Sequence, residues 1–382
     1  RLPGLFTGSR ITNGTAMTWA GLIIGLVMIQ FLVLIFLQKT NWKSYPVRPI
    51  FHPSVSILVA ARNEQEDLPK LLKSLENLDY PAEKLEILFA DDDSHDATGE
   101  ILAEWCQQNP HGKTFRISPY QFQRFHPNGK ANALAILAKE AKGDYFFFTD
   151  ADCEISPTWI TAGLASFGEN IGMVIGVTQV KSQSFFGSMQ ELDWWNTLSI
   201  VKVVTDLGFS TTGLGNNMVI SREVYEKAGG FESCGPSLTE DLEISRLIVR
   251  AGFKIRQQFS PEMLAYTKAE KDWSALLKQR KRWMNGVMTL SLGWKVLLGL
   301  QFAFFPALVL LITQSFILGI SVWLVKILLQ TGFLRLSAQQ AGKQIALKRA
   351  FLFDFYQIIS QSLTILYYFW PHKTDWKARK YP

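Results

Sequence analysis

Apolar and polar positions divide the chain into three stretches. Residues 18–37, TWAGLIIGLVMIQFLVLIFL, carry no charge and have about the 20-residue length that crosses a bilayer core. The run is too long for a signal-peptide core and has no small-residue cleavage site, so it is expected to be a retained anchor. From about residue 50 to 285 the pattern is that of a soluble domain, and from about 287 onward long apolar runs return.

In the middle stretch, 54–59 predicts a strand. Residues 64–78 predict a helix, with Leu68, Leu71, Leu72, Leu75 and Leu78 on one face. A second strand at 85–90 ends in Asp91-Asp92-Asp93. After a helix at 130–141, a third strand at 145–149 ends in Asp150-Ala151-Asp152. Repeated strand–helix–strand units predict a mostly parallel sheet covered by helices, and such sheets bind ligands at the carboxyl ends of their strands. Both acidic clusters fall there. Residues 242–249 read as a helix capped by Thr239 or Ser237. Around Gln279–Trp283 an amphipathic helix is expected, its face marked by Trp273, Leu276, Leu277, Arg280, Trp283, Met284 and Val287. Residues 296–334 suit two spans with a break near Thr313-Gln314-Ser315. A further candidate at 351–370 is weakened by Asp354, Gln357 and Gln361, because a charge at mid-bilayer costs about 2.5–3.5 kcal/mol.

Composition sharpens this layout. Of 382 residues, 48% are hydrophobic, and the excess sits at the two ends. The net charge of +6 lies mostly beside the apolar runs, which points to anionic lipid headgroups as partners and not to nucleic acid. Lys39, Lys43 and Arg48 after the first run predict a cytosolic middle domain, reached through a stiff linker with Pro46, Pro49 and Pro53. Lys373, Lys377, Arg379 and Lys380 favour a cytosolic C-terminus, while Lys343, Lys348 and Arg349 favour a cytosolic preceding loop. Both hold only if 351–370 lies in the interface or re-enters. Cys106, Cys153 and Cys234 fit no metal or disulfide spacing and read as buried apolar groups in a reducing compartment. The expected divisions are 1–45, anchor and linker; 46–272, catalytic domain; 273–290, interfacial helix; and 291–382, membrane region with a basic tail.

Two carboxylates one residue apart on an extended segment, Asp150 and Asp152, suit one hard cation, Mg²⁺ or Mn²⁺, that also holds phosphates. As an isolated match the pair is more often a solvated turn; its place after the run Tyr145–Phe148 favours the cation. Asp91-Asp92-Asp93 offers a carboxylate for a base or ribose, against a plain surface turn. Thr239-Glu240-Asp241 offers a general base at a helix start, against acids that merely suit the helix dipole. Arg282 offers charge for a diphosphate and Trp283 a stacking surface, against a helix that simply lies on a membrane. Trp194-Trp195 suits either sugar stacking or core packing.

In this order the motifs resemble those of inverting family 2 glycosyltransferases, the group of cellulose, chitin, hyaluronan and poly-N-acetylglucosamine synthases and ceramide glucosyltransferases. The resemblance covers about residues 54–290. It implies an α/β GT-A (Rossmann-like) fold, a mostly parallel sheet flanked by helices, with transmembrane helices at both ends. It implies that Ala60, Arg62, Glu64 and Asp92 line the nucleotide pocket, and that Lys130 of Gly129-Lys130-Ala131-Asn132-Ala133-Leu134 sits by the donor. Asp150 and Asp152 would hold the metal diphosphate, with Asp150 also touching the donor. Asp241, beside Glu240, would be the base. Gln279, Arg282 and Trp283 match Gln-x-x-Arg-Trp and would bind the donor, with Arg282 stabilising the leaving group. Gly213-Leu214-Gly215-Asn216-Asn217-Met218 resembles an acceptor-side loop. Trp376-Lys377-Ala378-Arg379-Lys380-Tyr381 resembles a tail motif in which Ala378 replaces the usual glycine.

The activity implied is transfer of a sugar, with inversion, from a nucleotide-diphosphate sugar (a UDP-sugar foremost) to a lipid or glycan acceptor. The expected location is the cell (inner) membrane, multi-pass, with the catalytic domain cytosolic. The alternatives are a processive polysaccharide synthase, a nucleotidyltransferase that would release pyrophosphate, and a non-catalytic sugar-nucleotide sensor, which would have lost one of the acids.

Overall fold

A computed structural model describes residues 7–45, 52–117, 128–371, 374–376 and 379–381. The expected prolines Pro46 and Pro49 and the basic Arg48, Lys373 and Lys377 lie outside them, as does Ala378.

The chain opens with helix α1 (Thr7–Thr40). Strand β1 (Val55–Ala61), helix α2 (Leu68–Glu76), strand β2 (Leu85–Asp91), helix α3 (Thr98–Gln108) and strand β3 (Gly112–Arg116) follow. Then come α4 (Gly129–Glu140), β4 (Tyr145–Asp150), α5 (Trp159–Ala165), β5 (Ile171–Ile175), β6 (Val177–Lys181) and α6 (Phe185–Asp206). The domain closes with β7 (Asn217–Ser221), α7 (Arg222–Ala228), α8 (Glu240–Arg250), β8 (Lys254–Gln257), β9 (Leu264–Lys268) and α9 (Trp273–Val287). Helices α10 (Leu292–Gln314), α11 (Phe316–Gln340) and α12 (Leu347–Phe369) complete the C-terminal region, ending in a hairpin of β10 (Thr374–Trp376) and β11 (Arg379–Tyr381).

The seven-stranded sheet runs β3-β2-β1-β4-β7-β5-β8. β1, β2, β3 and β4 are mutually parallel, and β7 is antiparallel to both neighbours. The chain moves outward from β1 to β2 to β3, then returns to place β4 on the other side of β1. The strand order therefore reverses between β1 and β4, and in open α/β sheets a crevice opens at that point beyond the carboxyl ends. The central strands are apolar on both faces, as a covered sheet requires. Phe147 packs on Trp159 on one side, and Phe148 on Phe231 on the other. A small second sheet pairs β6 with β9 in parallel.

The expected helix at 64–78 is shorter in fact. Pro69 starts it, and the segment before it turns back toward the sheet edge through the Asp67 and Leu68 N–H bonds to the Glu64 carbonyl. The expected Thr239 or Ser237 side-chain cap of α8 is absent. Ser237 Oγ accepts from the Thr239 N–H and pairs with its hydroxyl, which leaves neither for the helix. The N–H of Leu242, third residue of the helix, is taken by Asp241 Oδ1 at 2.8 Å.

Three helices among the described residues are long and apolar enough to cross a membrane: Thr15–Thr40, Leu292–Gln314 and Phe316–Gln340. The last two are separated at Ser315, where a break was expected. α12 is not such a helix. Its Asp354 is fully buried against Lys326 of α11, and Trp323 Nε1 donates to the other carboxylate oxygen at 2.6 Å. Gln330 and Gln357 complete the cluster. An ion pair at this depth is stable only when each charge finds partners, and here each does.

The segment after α1 is fastened to the domain. Lys202 of α6, fully buried, donates to the Lys43 carbonyl at 2.7 Å and to Asp206 at 2.7 Å, while Asp206 accepts from the Lys43 N–H at 2.9 Å. Burial lowers the Lys202 pKa to about 8, against the pull of Asp206.

Candidate active site

Every strand-end acid reaches the same edge of the sheet. Ala60 near the end of β1 is in register with Asp150 at the end of β4, and Ala61 with Asp91 at the end of β2. Beyond β1 the chain turns at Asn63, whose φ is 52°. This throws Arg62 across to β2, where it donates to the Asp92 and Asp93 carbonyls. Asp91 is not a free carboxylate: its Oδ1 accepts from the Ser94 N–H at 2.9 Å and so shapes the turn. Asp91 and Asp92 are both buried, and the Asp92 N–H is bonded to the Ala61 carbonyl at 2.9 Å.

Lys130 joins two of the motifs. Its ammonium lies 2.6 Å from Asp150 Oδ1 and 3.0 Å from Glu240 Oε1. Burial alone would lower its pKa; Asp150 and then Glu240 outweigh that and raise it. The position follows from Asn128, the N-cap of α4. Its Oδ1 accepts from the Lys130 N–H at 3.0 Å, and its Nδ2 donates to the Ser237 carbonyl at 3.0 Å. One side chain thus starts α4 and ties it to the segment leading into α8. A Ser, Thr, Asp or Asn before a helix is a readable start signal; the link to Ser237 is not readable from the sequence.

Asp241 stands next to Glu240 in the first turn of α8. Its Oδ2 accepts from the Gly215 N–H at 3.2 Å. Burial raises its pKa and the neighbouring Glu240 adds to this; Lys130 and the N–H groups of Gly215 and Leu242 offset it only in part, leaving a value of about 6. A carboxyl so placed ionises near neutrality and gains proton affinity, which is what a base needs. The glycines of the 213–218 loop permit the approach. A Cβ on Gly213 would lie 2.3 Å from the Asp241 carbonyl oxygen, and one on Gly215 3.4 Å from Lys130 Nζ.

Asp152 belongs to a second ion cluster around Lys268, at the end of β9. Lys268 Nζ lies 2.6 Å from Asp67, 3.4 Å from Glu64 and 3.8 Å from Asp152. Burial would lower its pKa; Glu64, Asp67 and Asp152 together raise it. No pattern in the sequence singles out Lys268 or Asp67, because the three acids meet it across separations of more than a hundred residues. Among the described residues no three His, Cys, Asp or Glu side chains are grouped closely enough to hold a metal by themselves. A divalent ion held by Asp150 and Asp152 would need further oxygens, which a bound diphosphate supplies. This is the usual arrangement for Mg²⁺, held by one or two carboxylates plus phosphates.

Helix α9 is buttressed by protein along the face expected to be apolar. Leu276 is fully buried, Trp273 stacks on Tyr356 of α12, and Arg280 pairs with Asp193 of α6 while lying over the Trp283 ring. Trp283 meets Trp194 edge-on at 5.5 Å. Trp195 is core, packed on Phe259. Gln279 donates to Glu270 at 2.8 Å. The helix crosses the start of α8 so closely that a Cβ on Gly286 would lie 2.9 Å from Thr239 Oγ1. That packing sets the helix turn after Arg282 and Trp283 against Thr239 and Leu242, which flank Glu240 and Asp241. Of the cysteines, Cys153 and Cys234 are buried and Cys106 partly so, all unpaired.

The family model for glycosyl transferase family 21 matches residues 17–382. A probable glycosyltransferase, YdaM of Bacillus subtilis, is 28% identical over 253 residues, 61% of this chain and 55% of that protein. A β-monoglucosyldiacylglycerol synthase of Nostoc is 29% identical over 249 residues, 61% of this chain and 49% of that one. The chain thus spans about half the length of the curated relatives it matches. A solved mannosyltransferase of Pyrobaculum calidifontis, in complex with GDP-Man and Mn²⁺, covers 93% of this chain and 95% of its own, with a TM-score of 0.57 at 15% identity. It shares the fold, so the expected GT-A sheet with apolar helices at both ends is the one observed.

Proposed function

The chain belongs to glycosyl transferase family 21, and we propose that it moves a sugar, with inversion, from a nucleotide-diphosphate sugar to a lipid acceptor at the membrane surface. The observation that carries this reading is Asp241: a carboxyl with its pKa raised to about 6, fixed by a glycine loop, across Lys130 from the strand-end Asp150. The lipid preference draws support from the synthase of Nostoc, whose name gives diacylglycerol as its glucosylated partner.

In this mechanism the acceptor hydroxyl gives its proton to Asp241 while its oxygen attacks the anomeric carbon from the face opposite the diphosphate. The carbon–oxygen bond to the diphosphate breaks, and the electron pair leaves with the nucleoside diphosphate. Charge, not a proton, is what the leaving group needs. Lys130 supplies it from the strand edge and Arg282 from α9. Asp150 and Asp152 would hold a divalent ion, Mg²⁺ or Mn²⁺, which would supply further positive charge to the diphosphate. Arg62, Glu64, Asp92 and the Ala60 backbone edge shape the nucleoside side of the crevice, where a uracil base fits the reading best. Glu240 holds Lys130, Gln279 and Trp283 bind the donor from α9, and Trp194 beside Trp283 faces the acceptor.

We assign 46–272 as the catalytic domain and 273–290 as the helix that seats it at the bilayer. The flanking 1–45 and 291–382 are the membrane parts. Lys39 and Lys43 put the domain on the cytosolic side of a multi-pass protein in the inner membrane. The test is a panel of UDP- and GDP-sugars with protein in lipid nanodiscs. Nucleoside-diphosphate release must match formation of one glycolipid, and its anomeric configuration by NMR must be opposite to the donor's. Pyrophosphate release, or retained configuration, overturns the proposal.

A further inference from the structure

A cavity of about 390 Å³ opens where α1 and α11 end side by side, lined by Gln38, Lys39, Trp42, Ser44, Leu336 and Gln340. It is separate from the crevice at the sheet edge. Gln38 is only 4% exposed. Its Nε2 donates to Ser337 Oγ and to the Phe333 carbonyl, while its Oε1 is buried with no hydrogen-bond partner. Gln38 lines the cavity, and its unmet acceptor costs free energy until a turn of the amide brings it to a donor there. Lys39, Ser44 and Gln340 are exposed and line the same cavity, so a cation shares it with Gln38.

We propose that this cavity is a lipid-headgroup site for a phospholipid that carries hydroxyl donors beside its phosphate, phosphatidylglycerol being the simplest. The depth fits, because the cavity sits where two candidate spans leave the apolar layer, at the level of the headgroups. The chemistry fits too. The phosphate meets the Lys39 ammonium, and a glycerol hydroxyl donates to Gln38 Oε1. A choline headgroup has no hydrogen to donate and leaves Gln38 unsatisfied. The far wall is Trp42, which packs edge-on against Phe259 and lies beside the buried Lys202 ammonium. An occupied cavity thus abuts the fastening between α1 and the catalytic domain.

The assignment rests on α1 and α11 crossing the bilayer and not on sugar transfer, so its readout is lipid retention. Full-length protein released from nanodiscs of equal phosphatidylglycerol and phosphatidylcholine is weighed by native mass spectrometry. Wild type retains phosphatidylglycerol in preference. Lys39→Glu lowers that retention about tenfold, while Lys348→Glu, a reversal at another exposed lysine, leaves it unchanged. Gln38→Met narrows the preference for the hydroxylated headgroup. Equal retention of both lipids by wild type, or equal losses in the two lysine variants, overturns the site. Displacement of soluble dihexanoyl phosphatidylglycerol by inorganic phosphate at the same concentration makes free phosphate the occupant and overturns the lipid assignment.

Discussion

Gly213 and Asp241 are in contact through backbone alone: the glycine Cα faces the aspartate carbonyl with no room for a methyl group between them. The loop and the helix start are therefore one rigid unit, and the carboxylate position depends on a residue with no functional group. Gly213→Ala is expected to leave the protein folded, with donor affinity within about twofold, while kcat falls about 10²-fold, the penalty for a small misplacement of a reacting group. Single-turnover kinetics with donor-binding isotherms separate the two effects.

Removing the base itself is more severe. Asp241→Asn keeps the shape and loses the proton acceptor, so transfer falls by about 10²–10⁴-fold with donor binding intact. Full turnover in this variant removes Asp241 from the mechanism.

The Asp241 pKa of about 6 fixes two pH trends. The wild-type kcat rises as pH increases through about 6 and then levels. Stability runs the other way. The folded pKa lies above the ordinary value of 3.8, so the protonated group favours the folded state. That contribution is complete below about pH 4 and is lost as pH rises through about 6. In Asp241→Asn the melting temperature therefore declines less than wild type across that window.

Asp152→Ala or added EDTA is expected to abolish the part of donor affinity that depends on Mn²⁺, in a calorimetric titration with a nucleotide sugar. Lys130→Met acts differently. It leaves Asp150 and Glu240 facing each other without their shared cation, so donor binding weakens even at saturating Mn²⁺. Unchanged titrations in Asp152→Ala exclude the metal role.

In the C-terminal helices, Asp354→Leu strands Lys326 in an apolar setting and is expected to cost about 3–5 kcal/mol, whereas Asp354→Leu with Lys326→Leu recovers most of that loss. Thermal unfolding in detergent distinguishes them.

Of the parallel strands β1 to β4, three were legible because β1, β2 and β4 are short apolar runs, two of them ending in acids, whereas β3, Gly-Lys-Thr-Phe-Arg, is mostly polar and was not. The break at Ser315 was legible because three polar residues interrupt an apolar run. The antiparallel β7, the β6–β9 sheet and the long α6 were not, since their residues mix apolar and polar positions without a clean period. The site followed the same division. Asp150, Asp152 and Asp241 announce themselves by local spacing. Lys268 does not, since its three acids come from two loops far back in the chain, the one before α2 and the one after β4. α12 looked like a weak span for the same reason: the cost of Asp354 is visible locally, but Lys326, which offsets it, lies in another helix.

Lys202 and Asp206 grip both the amide and the carbonyl of Lys43, a few residues from where α1 ends. A tether held that way has no slack. On the proposed membrane topology the crevice would be carried at one fixed height above the lipid surface, and a lipid acceptor would be chosen partly by how far its reactive hydroxyl stands out of the bilayer.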